Sequence, residues 1–203
     1  NDGTPSNITY GMDRFGNANF AGDFTAASAV VEMPDNMIAG NDTLSFSGWF
    51  KTAGSGAIVG YQNGSWPANT NNLVPVGYVD TNGYVRGTVW SSTATITDSV
   101  VYNDDAWHHW VLVVRDNEQL MYLDGVLAGV KTQGHNPLTM FGNQLGWALR
   151  SGSWAASTPN FYFDGMIDDF RMYNRPLNAA EIDTLFNEQA PDTTGTTSVQ
   201  HLQ

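Results

Sequence analysis

The chain of 203 residues has no cysteine, so neither a disulfide nor a thiolate metal site can hold it together, and zinc-finger and thiol chemistry are excluded. Basic residues are scarce. Eight Lys plus Arg stand against twenty Asp plus Glu, a formal net charge of −12. A field of that sign repels phosphate backbones and anionic lipids, so nucleic acid and membrane surfaces are not expected as partners. No apolar run of about 18 residues is available to cross a bilayer, so membrane insertion is not expected. The opening residues Asn1-Asp2-Gly3-Thr4 have neither the basic nor the apolar part of a signal peptide, and read as the start of a processed or excised piece. No serine-histidine-acid order, phosphate loop or HExxH motif stands out.

What is present is material for one sizeable core: 41% apolar and 12% aromatic residues. Short β-branched and aromatic runs alternate with Gly, Asn, Asp and Ser, the pattern of an all-β, two-sheet antiparallel sandwich. Strands are expected at Val30–Met33, Thr43–Lys51, Ala57–Tyr61, Val76–Asp80, Tyr84–Trp90, His108–Arg115, Leu120–Leu123, Val126–Lys131, Leu138–Leu145 and Tyr162–Tyr173. Asn82-Gly83 and Asp124-Gly125 are expected to form type I′ hairpin turns. The run Trp107–Val114 is bulky on both strand faces and should be a central strand, its outer face flooring a groove. After Arg175-Pro176 the period changes. Asn178 and Glu181 form a close variant of a capping box, and Ile182, Leu185 and Phe186 share the apolar face of one short helix. The expected division is a sandwich over residues 1–188 and a Pro/Gly/Thr-rich linker or tail over 189–203.

Five phrases, in order, resemble the laminin-G-like, concanavalin-A-like jelly rolls of bacterial adhesins and carbohydrate-active proteins. They are Asp13–Asn19, Leu44–Lys51, Asp105–Trp110, Leu120–Gly129 and Gly165–Leu177, together covering roughly residues 1–187. Such domains usually begin with an apolar strand ahead of the Asn1–Thr4 segment. Its absence here would leave a sheet edge open to another chain or to the tail at Thr197–Leu202. The resemblance also implies a secreted or cell-surface, carbohydrate-binding or adhesive module with a glycan or polysaccharide as partner, neighbouring domains in a larger chain, and one structural calcium ion. By position, the calcium ligands would be Asp168 or Asp169 together with Gly22 and Asp23 of the Ala21–Asp23 turn. The alternative for Asp168 and Asp169 is bonding to loop amides, Arg171 or Arg175.

Trp66 and Trp154 lie in polar, Gly/Ser-rich stretches where burial gains little. An indole beside amides and a guanidinium suits a pyranose ring, whose C–H face packs on the aromatic while its hydroxyls find fixed partners. The expected ligand site is therefore Trp66 and Trp154 with Asn63, Asn143 and Arg150. Each Trp could instead fold back to plug the sandwich. Trp49, Trp107 and Trp110 read as core, and His108 and His109, adjacent on a strand, must face opposite ways. Catalysis is the rival class. The chain has four glutamates, none in the Glu-x-Asp-x-Glu strand of jelly-roll glucanases, so no catalytic pair is expected. A lyase site of Tyr84, His109 and Arg86 remains an alternative, as does a protein-binding or spacer role.

Overall fold

The computed structural model describes residues 3–67, 73–90, 92–134, 140–149, 154–158 and 161–189. The strands β1 (Thr4–Ser6), β2 (Thr9–Gly11), β3 (Ala21–Asp23), β4 (Val30–Met33), β5 (Leu44–Lys51), β6 (Gly56–Gln62), β7 (Leu73–Val79) and β8 (Tyr84–Gly87) come first. They are followed by β9 (Ile96–Val101), β10 (Trp107–Arg115), β11 (Glu118–Leu123), β12 (Val126–Lys131), β13 (Gly142–Leu145), β14 (Trp147–Ala148), β15 (Phe161–Tyr162) and β16 (Met166–Tyr173). One helix, α1 (Ala179–Phe186), follows β16.

Two seven-stranded antiparallel sheets make the sandwich. The first runs β1-β4-β13-β6-β7-β8-β9 and the second β12-β11-β10-β5-β16-β3-β2. Alternation sends Phe46, Phe50, Trp110, Leu112 and Val114 of the second sheet inward against Ile58, Tyr61, Val76 and Val85 of the first. Trp110 and Phe46 lie stacked at 6.2 Å in the middle of this layer. The indole edge fits only because residue 77, on the facing sheet, has no side chain: a Cβ there would lie 2.4 Å from the Trp110 ring.

Both outer faces are covered too. On the second sheet Val111 and Val113 of β10 pack with Leu120, Leu177 and Ile182 beneath α1. The central position expected of β10 is observed, but helix α1 takes the place of the groove anticipated above it. The Asn178 side chain accepts from the Glu181 amide at 3.0 Å and the Glu181 carboxylate accepts from the Asn178 amide at 2.9 Å, so the capping box forms. On the first sheet the ribbon β14–β15 lies over Gly56 and Gly60, its Trp147 and Tyr162 carbonyls occupying the room a side chain would need.

The Asp124-Gly125 turn has both residues at positive φ, as a type I′ hairpin requires, whereas at Asn82-Gly83 only Gly83 does. There the Gly83 amide donates to Asp80 and the buried Asp80 carboxylate accepts from the Asn82 and Tyr84 amides, so a side chain shapes the turn. The short strands β1, β2, β3, β14 and β9 were not expected from the sequence; all but β9 are two or three residues long, too short for a period of two to register. Replacing Gly77 by Ala should lower stability by about 1–3 kcal/mol through overpacking against Trp110, read as a reduced urea midpoint with the m-value unchanged.

Candidate functional site

The register of the first sheet aligns Thr4, Glu32, Gln144, Gly60 and Pro75 as one row across β1, β4, β13, β6 and β7. Alternation puts this row on the face turned away from the core, since the neighbouring row of Val31, Leu145 and Val59 packs inward. Gly60 and Pro75 lie toward the β14–β15 cover. Thr4 and Glu32 lie beyond it, and there the chain leaving β6 brings Trp66 over the sheet. Trp66 is half-buried, its Nε1 donating to the Tyr162 hydroxyl at 3.3 Å, and Tyr162 in turn packs on Trp147 at 6.1 Å. The result is an opening of about 320 Å³ lined by Thr4, Glu32, Pro34, Asp35, Ser65 and Trp66. Trp66 contributes the aromatic part of the lining, and the other residues contribute hydroxyls and two carboxylates.

Beside this opening, buried polar groups are short of partners. Gln62 and Gln144 are each 1% exposed, and among the described residues both polar atoms of the Gln62 amide and Oε1 of Gln144 have no hydrogen-bond partner. Leaving such groups unmade costs about 1–3 kcal/mol each. Gln62 lies opposite Gly142, and Gln144 lies opposite Glu32, which lines the opening.

Of the expected ligand residues, the structure places Trp66 at this opening and leaves Asn63 exposed on the same loop. Asn143 is buried: its Nδ2 donates to the carbonyls of Pro34 and Phe141, both at 2.9 Å, so it fastens the turn that carries Asp35. Trp154 is a correction. It is 2% exposed and meets Trp90 edge-on at 6.2 Å as part of the main core, because an indole gains more from that contact than from a polar loop. Arg150 lies outside the described residues. Glu32, Asp35, Thr4 and Ser65 escaped sequence reading, as only the pairing of β1, β4 and β13 brings them beside Trp66.

The calcium ligands expected by position are placed in three different environments. Asp169 is held by Arg14, with Nη2 at 2.8 Å and Nε at 3.2 Å, and faces Arg171 at 3.5 Å. Asp23 accepts from the Thr25 amide and hydroxyl, and Gly22 sits in the β3 ladder opposite Ile167. Asp168 accepts from the Asp169 and Arg14 amides. Burial first, then the fields of Asp169 and Asp13, hold its carboxyl above the usual carboxylate range despite those bonds. Among the described residues no group of three or more His, Asp or Glu converges. Asp168, Asp169 and Asp23 thus each accept hydrogen bonds from groups of the chain itself.

The counter-charge is instead a guanidinium. Arg14, 5% exposed at its side chain, also donates to the Glu188 carbonyl and stacks on Phe15 at 3.9 Å and Trp49 at 4.7 Å. It ties the early loop, β5, β16 and the end of α1 together. Arg14→Ala should therefore cost about 1–3 kcal/mol in urea denaturation, discounted for the partial exposure of Asp169, and Arg14→Lys should recover little because the fork is lost.

The alternative lyase trio does not assemble. Tyr84 and Arg86 belong to β8 of the first sheet, where Arg86 is paired to the buried Asp80 at 2.7 Å. His109 lies under α1 on the second sheet, between Trp49 and Phe186, with Nε2 at 2.9 Å from Ser47. Trp110 is core, whereas Trp49 packs under α1 and Trp107 is half-buried. His108 faces the other way, its two nitrogens at 2.8 Å from Asp124 and 3.0 Å from Asp104. Burial pulls His108 down, but hydrogen bonds to and charges of Asp124 and Asp104 together leave its pKa raised; burial pulls His109 down to about 4. The His108 ion pairs thus stabilise the fold fully below pH 6.5 and that contribution is lost as pH rises through the raised value; for His109 stability is lost as pH falls below 6.5. In an NMR titration the His108 ring should have its midpoint above 6.5 and the His109 ring near 4.

A family model described as the concanavalin A-like lectin/glucanases superfamily matches residues 25–183. Among solved structures, a sialidase from Trypanosoma rangeli in complex with sialic acid superposes with a TM-score of 0.58 at 15% identity, over 92% of this chain and 30% of the sialidase. The binding domain of Paraclostridial Mosquitocidal Protein 1 gives 0.62 at 13% identity, over 91% of this chain and 46% of that one. A heptameric SAP-like pentraxin from Limulus polyphemus gives 0.51 at 15% identity, over 77% and 72%. A search of curated proteins found no match. At these identities the likeness is one of fold, shared by sialidases and a binding domain alike.

Proposed function

The chain belongs to the concanavalin A-like lectin/glucanase superfamily, and on that premise we propose that it is a non-catalytic, extracellular carbohydrate-binding module whose ligand rests on Trp66. The observation that carries this reading is the half-buried indole forming one wall of an opening whose other walls are Thr4, Glu32, Asp35 and Ser65. A pyranose offers an apolar C–H face to such a ring and a rim of hydroxyls to such groups, an arrangement of apolar platform and few placed polar partners typical of small-ligand sites. Glu32 and Asp35 accept hydrogen bonds from sugar hydroxyls, and their charge, within a chain of net −12, disfavours acidic sugars. The ligand class is therefore a neutral glycan. The calcium ion is not carried into this reading, because Asp169 and Asp23 have other partners.

On a glycan array the protein should be retained by neutral polysaccharide fragments in preference to sialylated or sulfated ones. Trp66→Ala should lower that retention at least about tenfold, the loss of one stacking contact, with the fold retained as read by an unchanged far-UV circular dichroism spectrum. Retention equal to the wild type would remove Trp66 from the site, and release of shortened products from the bound glycan would replace binding by catalysis. Adhesion to a protein is the second reading. It is favoured by Val100, Val101, Val126, Leu127 and Val130, 46–70% exposed on the edge strands β9 and β12, which lie side by side.

A further inference from the structure

On the side where β1 and β2 are the outer strands, the two sheets do not cover each other to the end, and the inner face of β2 shows where the cover stops. Tyr10 lies opposite Gly22, and Gly22 opposite the buried Ile167, so Tyr10 belongs to the face turned toward the first sheet. Ile8, two residues earlier on that face, packs on the core, whereas Tyr10 is 56% exposed. Met12 and Phe20 are the next positions on the same face and are 63% and 72% exposed. The Phe20 amide donates to the Gly11 carbonyl at 3.1 Å, which keeps their two segments side by side. Three large side chains thus project together at the mouth of the sandwich, a grouping that marks an interaction surface.

The same mouth holds a slot between the sheets. About 540 Å³ is lined by Val31, Met33 and Leu145 of the first sheet, by Phe170 and Met172 of the second, and by Met37. Pockets of this size take a drug-sized molecule, so the slot has room for more than one large side chain. Phe170 follows Ile167 on the inner side of β16, past the bulge at which Asp169 takes a positive φ of 46°. Continued past Gly22, the register of β3 with β16 brings Phe20 and Met12 alongside that bulge. Projecting groups and slot are therefore neighbours on one face, and both include thioethers, which adapt to what they meet. Among the described residues Arg171 is the only charged group lining the slot, and no carboxylate does.

We propose that two copies of this chain associate through this face about a two-fold axis, Phe20 and Met12 of each entering the slot of the other. A face that carries both a projection and the hollow to receive it is complementary to itself, which is the condition for a closed two-fold dimer. The area suffices. At about 150–250 Å² per large side chain, the open parts of Tyr10, Met12 and Phe20 with the slot walls come to roughly 600 Å² per copy, the lower end of a specific interface. Two copies at a net charge of −12 repel each other at a distance. The slot itself adds no carboxylate to that repulsion, which salt screens, so the dimer tightens as salt is raised.

Sedimentation velocity on the full chain from about 1 to 300 µM, the range suited to an interface of this size, should show a monomer–dimer equilibrium that shifts toward dimer at high salt. Phe20→Asp should raise the dimer Kd at least about tenfold, since the change occurs twice in each dimer, with the far-UV circular dichroism spectrum unchanged. Phe20→Ser, which adds no charge, should weaken it as well, and Val101→Asp in the β9–β12 patch should leave it as in the wild type. The chain has no cysteine of its own, so mixing the single variants Phe20→Cys and Met33→Cys under mild oxidation should give a disulfide-linked heterodimer. A protein that stays monomeric at the highest concentration in both salts overturns the proposal. So does a dimer that Phe20→Asp leaves intact or Val101→Asp abolishes, or a mixture in which no cross-link joins positions 20 and 33.

Discussion

The constraint on which the structure turns is that both sheets are covered over much of both faces. The inner faces meet around Trp110, Phe46 and the bare backbone of Gly77. The outer face of the second sheet lies under α1, and much of the outer face of the first lies under β14–β15. A sandwich wrapped in this way leaves little open sheet surface for a ligand. What stays open is the margin of the first sheet past the ribbon, where β1 and β4 present Thr4 and Glu32 below Trp66, and the edge of β16 that no described strand covers. The candidate ligand site lies where the wrapping of the first sheet stops.

The same reasoning explains why the acidic residues beside the last strand are not free to act together. A half-buried Asp169 needs a counter-charge, and Arg14 provides one by lying flat between Phe15, Trp49 and the end of α1. A guanidinium does with two forked hydrogen bonds and an aromatic contact what an ion would do with many oxygens, and it is part of the chain. The arrangement also fixes Glu188 just past the end of α1.

The histidine pair shows how one strand position can reverse the electrostatics of its neighbour. His108 faces Asp104 and Asp124 and is favoured as a cation, whereas His109 turns under α1 between two aromatic rings and is kept neutral. Nothing distinguishes the two in the run Trp107–Trp110 except the alternation that sends them to opposite faces.

The amino-acid sequence by itself determined the class of fold and its local punctuation. The bounds of β4 and β12, the type I′ turn at Asp124-Gly125, the central β10 and the capped helix at Asn178 all depend on neighbours within a few residues, and all are observed. Tertiary structure decided the rest. Whether Trp154 faces solvent or core, whether Asp169 meets an arginine or an ion, and which residues surround Trp66 depend on segments far apart in the chain: Asn143 binds Pro34 across 109 positions, and Arg14 binds Asp169 across 155. A loop Trp beside glycines carries no local sign of whether a core lies within reach, because that is set by strand register between β1, β4, β13 and β6, which only the packing of the two sheets selects.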